Sequence, residues 1–135
     1  MEDEKTTTIK GVLIDIENDK ADVVEFEGKL QNYYDMLHCD TIDIVSREIG
    51  HGRSRRRFDI VCDDEGLFSQ DAKISAIDNL GRTMLVGSLL VVNRNEKGET
   101  ASLTDEECEF VLDKVQKMYT RRHPEGYLML TQCEY

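Results

Sequence analysis

The chain is expected to fold as an α+β domain, a mainly antiparallel sheet of five to seven strands packed with two helices. Three observations lead there. Short runs rich in β-branched residues recur between Gly, Asn and Asp turn signals. Two stretches switch to helical spacing, and one of them opens with a capping box. The length, 135 residues without repeats or low-complexity runs, suits one domain spanning 1–135.

Residues 1–8 are polar and are expected to be disordered. Ile9–Ile16 reads as a strand, Glu17–Lys20 as a turn and Asp22–Phe26 as a second strand, giving an opening hairpin. From Lys29 to Cys39 the period changes. Leu30, Tyr33, Tyr34 and Leu37 share one helical face. The two tyrosines are read as packing this helix on the sheet, with a ligand platform as the alternative.

Thr41–Ile49 alternates as a strand, and so does Phe58–Cys62. Asp63-Asp64-Glu65-Gly66 ends the second of these. Three successive acids suggest calcium, but they lack the alternating ligands of a calcium loop, so a solvated turn is expected. Ile74–Ile77 is a short apolar run, and Asp78–Arg82 a turn ending near Gly81. Met84–Asn93 reads as the longest apolar strand, with a bulge or close backbone approach at Gly87. Asn93–Glu99 is a polar loop.

Leu103–Tyr119 carries the clearest local signal. Thr104 is an N-cap and Glu107 completes the box, with Leu103 and Cys108 as a hydrophobic staple. Cys108, Val111, Leu112, Val115, Met118 and Tyr119 define one apolar face of a long helix. Asp105, Glu106 and Glu107 suit its positive start, and Arg121 and Arg122 its negative end. Pro124 stops it, and Tyr127–Thr131 reads as a final strand.

Composition narrows the function. The formal charge is −11, which disfavours general nucleic-acid binding. No apolar run approaches the ~20 residues needed to span a bilayer. The acidic start, Met1-Glu2-Asp3-Glu4, lacks the form of a secretory signal, so a cytoplasmic location is expected. Cys39, Cys62, Cys108 and Cys133 show no zinc spacing and are read as reduced structural thiols. No metal or other cofactor is expected. His38 and His123 are placed near helix ends, where capping and dipole roles suffice, and a non-enzymatic protein is expected. Self-association is expected as well.

Against this acidity stands Gly50-His51-Gly52-Arg53-Ser54-Arg55-Arg56-Arg57, joining the two central strands. Guanidinium forks suit phosphates and carboxylates, and glycine lets backbone approach a ligand closely. His51, Arg53, Arg55, Arg56 and Arg57 are therefore the candidate site for an anionic small molecule or nucleotide. The plainer reading is a solvated hairpin tip balanced by Glu48, Asp59 and Asp63. The standard nucleotide cradles, G-x-x-x-x-G-K-[ST] and G-x-G-x-x-G, are missing from the sequence. The alternative function is a protein-interaction module that blocks a host factor through its acidic surface, including DNA mimicry.

Four segments carry a family resemblance: Phe58–Leu67, Ser75–Asp78, Met84–Leu89 and Ser102–Glu107. Together they resemble the domain of unknown function 3846 family over residues 9–118. That resemblance implies a small accessory protein of bacteria, phages and mobile elements, and it brings no catalytic residues with it. The arginine-rich segment 50–57 is longer than the family pattern, and the tail 122–135 is an extension beyond it.

Overall fold

The computed structural model describes residues 8–63 and 73–135. The first hairpin is β1 (Thr8–Asp15) and β2 (Lys20–Glu27), paired in continuous register from Thr8–Glu27 to Asp15–Lys20. Thr8, expected to be disordered, is thus the first residue of a strand. Helix α1 (Leu30–Leu37) follows, then the long hairpin of β3 (Ile42–Ile49) and β4 (Arg56–Asp63). Next come β5 (Ile74–Ile77), β6 (Thr83–Val86), β7 (Leu89–Arg94) and β8 (Thr100–Ala101). Helix α2 (Asp105–Asp113), β9 (Val115–Met118), β10 (Tyr127–Leu130) and β11 (Cys133–Glu134) complete the described chain.

The α+β class holds, with the strands divided between two sheets. The larger has seven strands in the order β11-β3-β4-β7-β1-β2, with β8 added beside β7. The smaller has the order β6-β5-β10-β9. Among the described residues, all pairings are antiparallel except β5 with β10.

Alternation along the central strands explains the layers. Phe58, Ile60 and Cys62 of β4 face one core with Val12, Ile14, Leu89 and Val91. Val111 and Cys108 of α2 and Met129 and Leu130 of β10 cover that face. Val61, Leu90, Val92 and Ile9 face the other way, against Tyr33 and Leu37 of α1. The large sheet is therefore sandwiched between α1 and a layer made of α2 and the small sheet. Of the expected α1 face, Tyr33 and Leu37 are buried, while Leu30 stays exposed. His38 caps the helix in the left-handed conformation, donating its N–H to the Tyr34 carbonyl.

Two elements depart from the sequence pattern. Met84–Asn93 is not one strand. Gly87, at φ +77°, turns the chain between β6 and β7, which lie in different sheets. The helix expected to reach Tyr119 ends at Asp113. Its start matches expectation: Thr104 Oγ1 accepts from Glu107 N, and Glu107 Oε1 accepts from Thr104 N. Its end is set by the tail. The Lys114 carbonyl accepts both the N–H and the hydroxyl of Thr131, at 2.8 and 2.7 Å. A continued helix would need that acceptor for its own ladder. Val115–Met118 instead pairs with Tyr127–Leu130. Arg121 and Arg122 consequently lie far past the helix end and do not serve its dipole. Of the acidic turn expected at 63–66, Asp63 closes β4, and residues 64–66 lie outside the described residues.

Candidate functional site

The arginine segment forms the tip of the β3–β4 hairpin. Gly50, at φ +125°, leaves β3, and Gly52–Ser54 makes a single 3-10 turn. Ser54 closes that turn, its N–H and its hydroxyl both donating to the His51 carbonyl, at 3.2 and 2.7 Å. His51 and Arg53 are exposed on it.

Strand alternation then splits the remaining arginines. Arg57 lies across from Glu48 and Arg56 across from Ile49. Arg55 and Arg57 converge on one carboxylate: Arg55 Nη1 is 3.5 Å from Glu48 Oε1, and Arg57 Nη2 is 3.4 Å from Glu48 Oε2. Arg57 also donates to Ser46 Oγ at 2.9 Å and to the Tyr135 carbonyl at 3.0 Å. Arg56 goes elsewhere. Its guanidinium stacks 4.8 Å from the Phe110 ring centroid of α2 and lies 3.9 Å from Glu106. The five candidate residues thus do not meet as one cluster. Arg55 and Arg57 form a pair, Arg53 and His51 occupy the tip, and Arg56 supports the packing of α2.

The counter-charges are partly those the sequence suggested. Glu48 is a partner, but Asp59 is taken by Arg94 of β7, which binds it in bidentate fashion at 2.9 and 3.0 Å. The arginine tip is held by half-exposed, long ion pairs, which contribute ~0–1 kcal/mol each.

A second polar constellation sits at the end of α1. His38 Nε2 is 3.2 Å from Asp15 Oδ1, and Asn18 donates to Asp15 through both its backbone and side chain. Burial opposes the charged form of Asp15, but these hydrogen bonds and His38 hold its carboxyl below the usual value. An open recess of about 490 Å³ beside it is lined by Tyr34, Asp35, His38, Cys39 and Asp40 among others. Burial raises the Cys39 thiol, and the charge of Asp63 raises it further. That is the reverse of nucleophile activation.

Sequence reasoning assigned no role in a site to Lys73 and His123, which the fold brings together. Nothing in their spacing could have paired them. Among the described residues, no group of His, Cys, Asp and Glu is arranged to hold a metal ion, and no helix is long and apolar enough to cross a membrane.

No curated protein and no solved structure matches this chain. A family model does match, over residues 9–120, which includes both helices, β1 to β9 and the arginine hairpin, and leaves Arg121–Tyr135 beyond it. The chain belongs to the family described as domain of unknown function (DUF3846).

Proposed function

We propose that this chain is a non-enzymatic binding protein whose β3–β4 hairpin contacts an anionic group of its ligand, a nucleotide phosphate being the leading class. One observation carries the reading. Arg55 and Arg57 converge on a single carboxylate, Glu48, through ion pairs that are long and about half exposed. Two guanidiniums that share one intramolecular oxyanion are spaced to share an incoming one. The pairs that hold Glu48 are weak enough to exchange. Arg53 stands at the tip, exposed, and adds a third cation. The accessory role in bacteria, phages or mobile elements is part of the same proposal.

The test is native mass spectrometry of the purified chain, before and after addition of a nucleotide panel. A charge-assisted hydrogen bond contributes ~1.5–3 kcal/mol, so Arg55→Ala with Arg57→Ala should weaken binding by more than about tenfold. Arg56→Ala should leave affinity nearly unchanged, because that side chain is on the other face. Equal losses from all three substitutions, or no bound nucleotide at any concentration, would reject the hairpin site. Capture of a basic protein with strong salt dependence would instead favour the acidic-surface interaction module.

A further inference from the structure

Strand β2 ends the large sheet, and its outer edge is open. The contacts of β1 show which backbone groups of β2 are already used. Lys10 N–H donates to Ser102 Oγ at 2.9 Å, and the Lys10 carbonyl accepts Leu103 N–H at 2.8 Å. Ile16 N–H donates to Ser88 Oγ at 3.1 Å. Backbone direction alternates along a strand, so even-numbered residues of β1 turn toward β7 and odd-numbered ones toward β2. In the β1–β2 register Ile9 lies opposite Phe26, Gly11 opposite Val24 and Leu13 opposite Asp22. The even residues of β2 are therefore bonded to β1. Ala21, Val23 and Glu25 aim their N–H and carbonyl groups outward, and none of these groups has a partner among the described residues. The Glu27 carbonyl points the same way but is taken, by Lys29 N–H at 2.7 Å and Asn32 Nδ2 at 2.8 Å. The open stretch thus runs from Ala21 to Glu25 and is centred on Val23, which is 43% exposed.

We infer that this edge is the interface of a homodimer, in which β2 of a second copy adds antiparallel to β2 about a two-fold axis at Val23. This surface is separate from the arginine hairpin.

The shape of the edge allows the pairing. No proline, glycine or bulge interrupts β2, and its register with β1 is continuous. The other end of the sheet differs. There β11 covers β3 only at Glu48 and Ile49, and two groups it leaves open are capped by side chains. Asp43 Oδ1 accepts Ile44 N–H at 2.9 Å, and Arg47 Nη1 donates to the Ser46 carbonyl at 3.0 Å. The free groups of β2 carry no such caps.

Symmetry and charge then select the register. A two-fold axis normal to the sheet keeps each face on its own side, so residues that pair come from the same face. Centring on Val23 sets Val23 opposite Val23 of the second copy, and Ala21 opposite Glu25 twice. Each such pair exchanges two hydrogen bonds, which uses every free group of the stretch. On the other face Asp22 meets Val24, and Lys20 brings an ammonium to the Phe26 ring. No like charges stand directly opposite, the arrangement that destabilises a strand pair. Centring on Asp22 or on Glu25 would set two carboxylates face to face. Centring on Val24 would match Ala21 with Glu27, whose carbonyl is occupied. Two chains of net charge −11 repel one another, and one strand pair is a small interface. The dimer is therefore weak, and it forms at high concentration in moderate salt.

The experiment is sedimentation velocity of the full chain up to about 1 mM in moderate salt, with amide hydrogen exchange at both ends of the range. A reversible monomer–dimer equilibrium is expected. Exchange at Ala21, Val23 and Glu25 should slow as concentration rises, while Asp22 and Val24, already bonded to β1, should not change. Val23→Pro removes one outward donor from each copy and no bond to β1, a position where an edge strand tolerates proline. It should weaken association by at least about tenfold and leave the circular dichroism spectrum unchanged. A folded Val23→Pro variant that associates as well as the wild type would overturn the proposal. So would a chain that stays monomeric at the highest concentration, or a dimer whose Ala21, Val23 and Glu25 amides exchange as fast as in the monomer. The last two are read on the wild-type chain and do not depend on how the variant folds.

Discussion

Substituting Gly50 by Ala should destabilise the chain by ~2–6 kcal/mol, the sum of backbone strain and overpacking. Gly50 turns β3 into the arginine hairpin at φ +125°, where an L residue costs about 1–3 kcal/mol. An added Cβ would also lie 3.0 Å from the Ser54 carbonyl oxygen, 3.1 Å from Arg55 Cα and 3.2 Å from the Phe110 ring. Two of those atoms are backbone. The third belongs to a ring packed near Phe58, at 6.1 Å between centroids, and under Arg56. None is the free end of a flexible chain, so relief means moving the hairpin against α2. Such overpacking costs ~1–3 kcal/mol. The total is a large share of the ~5–15 kcal/mol that holds a domain folded.

Gly52→Ala is the control. It also has positive φ, at +60°, but nothing lies within 4 Å of its Cβ position. It should lose only the left-handed penalty, ~1–2 kcal/mol. Urea unfolding followed by circular dichroism measures both, and unchanged slopes would show that stability alone has moved. Coincident midpoints for the two variants would refute the packing of the hairpin against α2.

Two further outcomes follow from the titrating groups. Burial pushes the Cys133 thiol up to about 12, whereas Cys39 is partly exposed. Alkylation with peptide mapping should label Cys39 first and Cys133 after unfolding; equal native rates would contradict the burial of β11. Burial of Asp78 opposes its ionisation, but Arg82 and the Leu80 and Arg82 N–H groups hold its carboxyl below 3.8, as Asn18 and His38 do for Asp15. A carboxyl lowered by folding contributes stability that is full above its unfolded value and lost as pH falls through the folded one. Stability should therefore drop below about pH 4, and Asp78→Asn should flatten that acid limb. An unchanged acid limb in the variant would dismiss the role given to Asp78.

Local chemistry explains most of what the sequence foretells. The opening hairpin, α1, the β3–β4 hairpin and the start of α2 depend on neighbours a few residues apart. Thr104 and Glu107 satisfy one another, and the alternation of Phe58, Ile60 and Cys62 is written in the order of residues. The end of α2 is different. Val115, Met118 and Tyr119 continue a helical stripe, but Thr131 takes the Lys114 carbonyl and the segment becomes a strand. That competition is tertiary and leaves no mark in the helical spacing.

The same holds for the sites. Clustering in sequence marks the arginine segment as unusual, yet period two sends Arg56 to the face opposite Arg55 and Arg57. Adjacency along a strand separates side chains rather than gathering them. Conversely, Lys73 and His123 are far apart in the chain and meet at the Tyr127 ring because β5 and β10 are neighbours in the small sheet. The residue order thus determines the class of fold, the turns and one helix start, since those are contests among near neighbours. Which strands join which sheet, and which charges therefore meet, is decided only when distant segments compete for the same backbone partners.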